Sequence, residues 1–161
     1  MRGFLILAVV AALTMGGCQK AAADQSAASA TFLAANAKAP GVRVLPSGVQ
    51  YKVVREGPPG GRRPGPNDEV KVHYEGKLID GKVFDSSYER GQPAAMPLPA
   101  LIPAWVEALQ LMRPGDEWIL YVPPELGYGA EGGGEIPPNS VLIFRIELID
   151  FIPAPGSIGQ G

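Results

Sequence analysis

Conventional catalysis calls for groups that this chain hardly owns. One histidine, His73, and one cysteine, Cys18, occur in 161 residues, which leaves too few soft ligands for a zinc site and no disulfide framework. No serine stands at a defensible triad spacing from His73 and an acid. His73 itself falls on the polar side of an alternating run, the position of a surface histidine. Gly127-Tyr128-Gly129 and Gly132-Gly133-Gly134 have the glycines of a phosphate loop, but no Gly-Lys-Ser/Thr follows them, so nucleotide binding is set aside. What remains is apolar: Tyr74, Phe84, Trp105, Tyr128 and Phe144, with Leu101, Ile102 and Ile136, and one acid, Asp85. Such a set makes a core or a dry binding pocket, and from residue types alone both stay open.

The elements that must position these side chains start at residues 70–87. Val70, Val72, Tyr74, Gly76 and Leu78 alternate with Lys71, His73, Glu75 and Lys77, the period of a strand with one buried face. Asp80-Gly81 then predicts a two-residue type I′ turn. In that turn Leu78 faces Val83 and Gly76 faces Asp85, so Asp85 shares the inward face with Tyr74. A hydrogen bond from Tyr74 to Asp85 would explain an acid there; a carboxylate that merely holds the hairpin end is the alternative.

Further along, Leu101, Ile102, Trp105, Val106, Leu109 and Met112 recur at three- and four-residue spacing, the stripe of one short amphipathic helix. Pro103 suits its first turn and Arg113-Pro114-Gly115 stops it. Residues 49–54, 117–122 and 141–151 read as strands, whereas 56–68, with four prolines and four glycines, and 88–100 read as irregular connections. The 21 glycines and 17 prolines argue for short strands and turns over a helical bundle. The expected architecture is α+β, an antiparallel sheet of four to six strands wrapped around one short helix. A net charge of −2 gives no basic face for nucleic acid, and Arg62 and Arg63 in the proline-rich loop read as solvated charges.

At the N-terminus, Arg2 precedes an apolar run over residues 4–13, the length of a signal-peptide core and short of the ~20 residues that span a bilayer. Cys18 follows Gly16-Gly17 at its end, a sequence similar to the lipobox of bacterial lipoproteins. That likeness implies a signal peptide over 1–17, lipidation of Cys18 and an envelope location, with Gln19 favouring the outer membrane. Cleavage after Ala21-Ala22-Ala23, releasing a soluble protein, is the alternative. Residues 18–46 are expected to be a flexible tether with about two helical turns over 31–38, and 153–161 a disordered tail.

Two separated segments, VHYEGKLIDGKVFDSSYERG and GYGAEGGGEIPPNSVLIFRIELID, with the Trp105 helix between them, resemble the FKBP-type peptidyl-prolyl cis/trans isomerases. The likeness runs over about residues 47–152. It implies a cofactor-free and metal-free site for proline-containing polypeptides. In it Trp105 is the floor for the proline ring and Tyr74, Phe84 and Phe144 are walls; Leu101 precedes the helix. The Ile102 amide would pin the substrate chain, Tyr128 would donate its hydroxyl to a substrate carbonyl, and Ile136 would cap the mouth. Asp85 would be the one negative group facing the amide. Met96 and Ala94 stand where relatives carry aromatics, which softens one wall and bears on macrolide binding more than on turnover. The long helical arm that pairs many bacterial relatives is not recognised, which implies a monomer. A proline-segment binder or chaperone with little turnover is the competing function, and a purely structural lipoprotein, which would have no pocket, is a third.

Overall fold

The computed structural model describes residues 23–156. It contains two α-helices, α1 (Ser26–Asn36) and α2 (Pro103–Leu109). Seven strands accompany them: β1 (Val42–Val44), β2 (Gln50–Arg55), β3 (Glu69–Lys77), β4 (Val83–Ser86), β5 (Ala94–Pro97), β6 (Glu117–Val122) and β7 (Leu142–Ile152). All pair antiparallel in one sheet of order β1-β2-β6-β7-β3-β4, and β5 pairs with the other half of β3. The α+β expectation holds, with one strand more than its upper bound because β1 and β5 are short pieces.

Sequence alternation accounts for the long strands. Leu142, Phe144, Ile146 and Leu148 of β7 are buried, and so are Val70, Val72, Tyr74 and Gly76 of β3. Their shared face receives α2, whose Trp105, Ala108 and Leu109 are buried together with Met112 just beyond the helix. Pro103 stands at the start of α2, where its missing N–H costs nothing. Leu109, Leu120, Ile146 and Leu148 are fully buried, each contributing roughly 1.5–3 kcal/mol by burial.

Four expectations need correction. The hairpin does not close through a type I′ turn: the Gly81 N–H donates to Leu78 C=O (3.0 Å), the Leu78 N–H donates to Lys82 C=O (2.9 Å), and Gly81 alone takes positive φ (+90°) there. This is a three-residue loop with a left-handed glycine, which asks for one unusual φ where type I′ asks for two. The Asp80 carboxylate supports it by accepting the Lys82 N–H at 2.9 Å. Val83 consequently faces Lys77 rather than Leu78, and a bulge beside Gly76 restores the Gly76–Asp85 pairing.

The supposed tether is structured from residue 26. α1 is followed by β1, which pairs Val42 with Lys52 on β2. Side-chain amides dock the helix: Asn36 Nδ2 donates to Gln50 Oε1 (2.8 Å) and Gln50 Nε2 donates to Leu33 C=O (2.9 Å). The connection at 88–100 contains β5, which sets Met96 opposite Val70. The start of the expected tail is held too, with the Ala154 N–H on Asp68 Oδ1 at 2.9 Å. The expected signal peptide over 1–17, Cys18 and the end of the expected tail lie outside the described residues.

Candidate active site

The site is assembled at the N-terminal end of α2 by chain segments far apart in sequence. Ile102 is the N-cap of α2, with extended φ and ψ (−60°, 148°), and the Trp105 N–H turns back to its carbonyl at 2.9 Å. That turn lays the indole against the sheet, 4% exposed. Tyr74 and Phe144 meet it edge-on, with centroids 5.2 and 5.1 Å away, and Phe84 meets Phe144 edge-on at 5.7 Å. Edge-to-face contacts set positive ring edges against negative ring faces, so the cluster has a preferred geometry as well as buried area.

Above the indole opens a cavity of about 570 Å³, within the range of small-ligand sites. The ten residues expected to bind or act on substrate line it: Tyr74 from β3, Phe84 and Asp85 from β4, Met96 from β5, Leu101 and Ile102 from the approach to α2, and Trp105, Tyr128, Ile136 and Phe144; Ala94, expected in a wall, does not. Ala100, Gly133, Gly134 and Glu135 join them. Glu135 was missed because it stands in a glycine-rich loop without periodicity; the loop folds over the mouth, and Lys82 meets Glu135 there at 3.2 Å. His73 is outside the lining, with Nδ1 2.9 Å from Ser87 Oγ and its ring stacked on Tyr88 at 4.7 Å.

The polar groups of the site are few and mostly engaged. The Tyr74 hydroxyl donates to Asp85 Oδ2, and Arg90 Nη1 donates to Asp85 Oδ1. Arg90 Nη2 also donates to the Tyr74 hydroxyl at 2.9 Å, with the guanidinium carbon 5.5 Å from the Tyr74 ring centroid. Burial works against ionisation of Asp85, yet the Tyr74 hydroxyl and Arg90 outweigh it and hold the carboxyl below its ordinary pKa. Burial, then the bond to Asp85, pushes the Tyr74 phenol up. Sequence reasoning found the Tyr74–Asp85 pair and missed Arg90, which sits on an exposed turn; its only signal was an arginine five residues after the acid.

Several donors around the cavity are free. At its rim the Ile102 N–H and the hydroxyl of Tyr128, a residue 47% exposed, have no protein acceptor among the described residues, and in its floor the buried Trp105 indole N–H has none either. A mostly apolar cup with a held carboxylate and unspent donors at its edge is suited to an extended peptide whose carbonyls need partners while its side chain enters an apolar floor.

The sequence matches the family described as FKBP-type peptidyl-prolyl cis-trans isomerase over residues 60–149, and the domain amino terminal to FKBP-type peptidyl-prolyl isomerase over residues 7–53. It is 55% identical over 122 residues to the peptidyl-prolyl cis-trans isomerase Mip of Coxiella burnetii, covering 75% of this chain and 52% of that one. Identity to the outer membrane protein MIP of Legionella longbeachae is 49% over 131 residues, 81% and 55% of the two chains. The chain thus spans about half the length of these curated relatives. The crystal structure of FkpA from Escherichia coli superposes with a TM-score of 0.78 at 45% identity, over 83% of this chain and 62% of that one. A peptidyl-prolyl cis-trans isomerase from Pseudomonas syringae pv. tomato gives 0.73 at 40% identity, over 78% and 92%. On fold, site and sequence together, the chain belongs to the FKBP-type peptidyl-prolyl cis-trans isomerases.

Proposed function

We propose that this protein accelerates cis/trans rotation of X-Pro bonds in exported polypeptides. The observation that carries the reading is the convergence of Tyr74, Phe84, Trp105 and Phe144 on one apolar cavity with a single held carboxylate, Asp85, beside free donors at Ile102 and Tyr128. Rotation costs roughly 18–20 kcal/mol because amide resonance is lost. The twisted amide is less charge-separated than the planar one, so a site that excludes water disfavours the planar state more. Bringing a process of tens of seconds to milliseconds needs about 5.5–7 kcal/mol, and differential binding of the twisted form can supply it without a nucleophile or metal.

In this reading the proline ring lies on Trp105 between the other three rings. The Ile102 amide and the Tyr128 hydroxyl take substrate carbonyls on either side, Leu101, Met96 and Ile136 close the mouth, and Asp85 faces the rotating amide. Two-dimensional exchange NMR on a short Ala-Pro peptide tests it: cross-peaks between cis and trans forms are expected at micromolar protein. Their absence, with peptide binding retained, leaves the chaperone reading.

The location we propose is the cell envelope, through lipidation of Cys18; the name of the Legionella relative, an outer membrane protein, supports it. Mass spectrometry of the mature N-terminus is expected to find a modified cysteine at position 18, and an unmodified terminus beyond Ala23 would overturn the anchor. A monomer is expected in light-scattering measurements on the chain without its lipid.

A further inference from the structure

Asn139 is the one non-glycine among the described residues with positive φ (+56°), a conformation such residues keep only where their surroundings hold them. It closes the base of the loop that bears Tyr128 and Ile136. Its N–H donates to Gly129 C=O at 2.9 Å, while Gly133 and Ile136 bridge the tip through bonds of 3.0 and 2.9 Å. What holds Asn139 comes from the far end of the chain. The Ser29 hydroxyl of α1 donates to the Asn139 carbonyl at 2.7 Å, and the same oxygen accepts the Val141 N–H at 3.1 Å. The Gln25 N–H donates to Pro138 C=O at 3.0 Å, and Asn139 Nδ2 lies 3.2 Å from both carboxylate oxygens of Asp24. Ser29, 2% exposed, is the buried residue of α1. The helix therefore grips the loop base through a polar clamp, while Phe32 on the same face rests on Tyr121 of β6 with ring centroids 6.0 Å apart.

We infer that Ser29 of α1 is a positioning residue that sets the Tyr128–Ile136 loop over the Trp105 floor. The path is short. Ser29 holds the Asn139 carbonyl, Asn139 holds Gly129, and Gly129 adjoins Tyr128; in the other direction Ile136 is three residues away. Removing the hydroxyl strands a part-buried carbonyl and a buried N–H, which must move to find water, and the loop base moves with them. The inference rests on the isomerase reading, since it assigns Tyr128 and Ile136 to substrate.

The test uses the full chain with Ser29→Ala, measured at a temperature where circular dichroism reports a folded protein. Expected is a roughly 2- to 30-fold fall in kcat/KM, carried by KM, with faster amide exchange over residues 129–136. Ser29→Thr is expected to restore both, because a cavity of about 70 Å³ lined by Ser29, Leu78, Pro137 and Val141 has room for a methyl group. Asn36→Ala removes one of the bonds that tie α1 to β2, the one to Gln50 Oε1, and is expected to lower Tm with kcat/KM unchanged. A Ser29→Ala protein with lowered Tm but wild-type kcat/KM and wild-type loop exchange overturns the inference. If Ser29→Ala does not fold, Asp24→Ala at the exposed end of the clamp carries the test with a smaller rise in KM, and no rise overturns it. Amide exchange is read without turnover, so an inactive wild type would defeat the isomerase reading, whereas unchanged exchange defeats this one alone.

Discussion

The Phe84 ring lies so close over Gly76 that a methyl group built on the glycine would come within 2.6 Å of the ring's Cζ, and within 2.7 Å of Phe144 Cε1. Gly76 pairs with Asp85 on one side and with Phe144 on the other, so the absent side chain is the space in which two walls of the cavity meet. Gly76→Ala is expected to force both rings outward, at roughly 1–3 kcal/mol for overpacking. Calorimetry would register a Tm several degrees lower, and peptide titration a weakened fit. A variant with both unchanged would mean that the rings are free to move.

Tyr128 separates binding from stability. Its ring is 47% exposed and its hydroxyl has no partner among the described residues, so Tyr128→Phe is expected to leave unfolding free energy within about 0.5 kcal/mol of wild type. One hydrogen bond to substrate is worth about 0.5–1.5 kcal/mol, so kcat/KM is expected to fall roughly 2- to 12-fold. Paired denaturant melts and exchange kinetics check both halves.

The pH dependence follows from Asp85 and Tyr74. Asp85 is held below the ordinary carboxyl range by Tyr74 and Arg90, against burial, and burial raises Tyr74 above the ordinary phenol range. Between about pH 5 and 8 the first stays ionised and the second neutral, and the one histidine stacks on Tyr88 outside the cavity. A flat kcat/KM is therefore expected across that interval. A carboxyl with a depressed folded pKa contributes stability that is fully present above its unfolded value of about 3.9 and drains away as pH falls through the folded value. Asp85→Asn should remove that part of the acid limb from a plot of Tm against pH, and Arg90→Ala should shrink it, because the folded pKa then moves back toward the unfolded one.

Glu117 offers the reverse case, stability without activity. Its side chain, 4% exposed, lies between Arg145 Nε and Arg55 Nη1, the latter 3.2 Å away, and Arg55 also reaches Glu147 at 2.6 Å. Glu117→Gln weakens two charge-assisted bonds at a buried position and is expected to cost about 1–3 kcal/mol. Turnover at a temperature well below Tm should match wild type, since none of the four residues lines the cavity.

How much was legible differs from element to element. β3, β7 and α2 could be read because burial of a strand face or helix stripe repeats along the chain itself: Leu142, Phe144, Ile146 and Leu148 declare their common face whatever covers it. α1 could not be read as docked. Apart from Phe32, whose ring rests on Tyr121, its attachment uses Ser29, Asn36 and Gln50, polar side chains whose value depends on partners 14 and about 110 residues away. β5 was hidden because Ala94 and Ala95 carry no strand signal and gain their pairing from β3. At the hairpin, Asp80-Gly81 was the right turn in the wrong type, since either loop satisfies the same dipeptide and the bulge at Gly76 decides between them.

The classes of chemistry within reach could be read from residue types, which are local facts: no second thiol, one histidine, and a store of rings with one acid among them. Strand and helix periods could be read as well, since neighbouring residues fix them by their spacing. It took the folded chain to bring Tyr74, Trp105 and Phe144 to one cavity, to turn Arg90 back onto Asp85, and to set Ser29 against a loop beginning about 100 residues further on. Such contacts depend on strand register and loop closure across the whole domain, where a one-residue slip exchanges faces, and no local pattern encodes that sum.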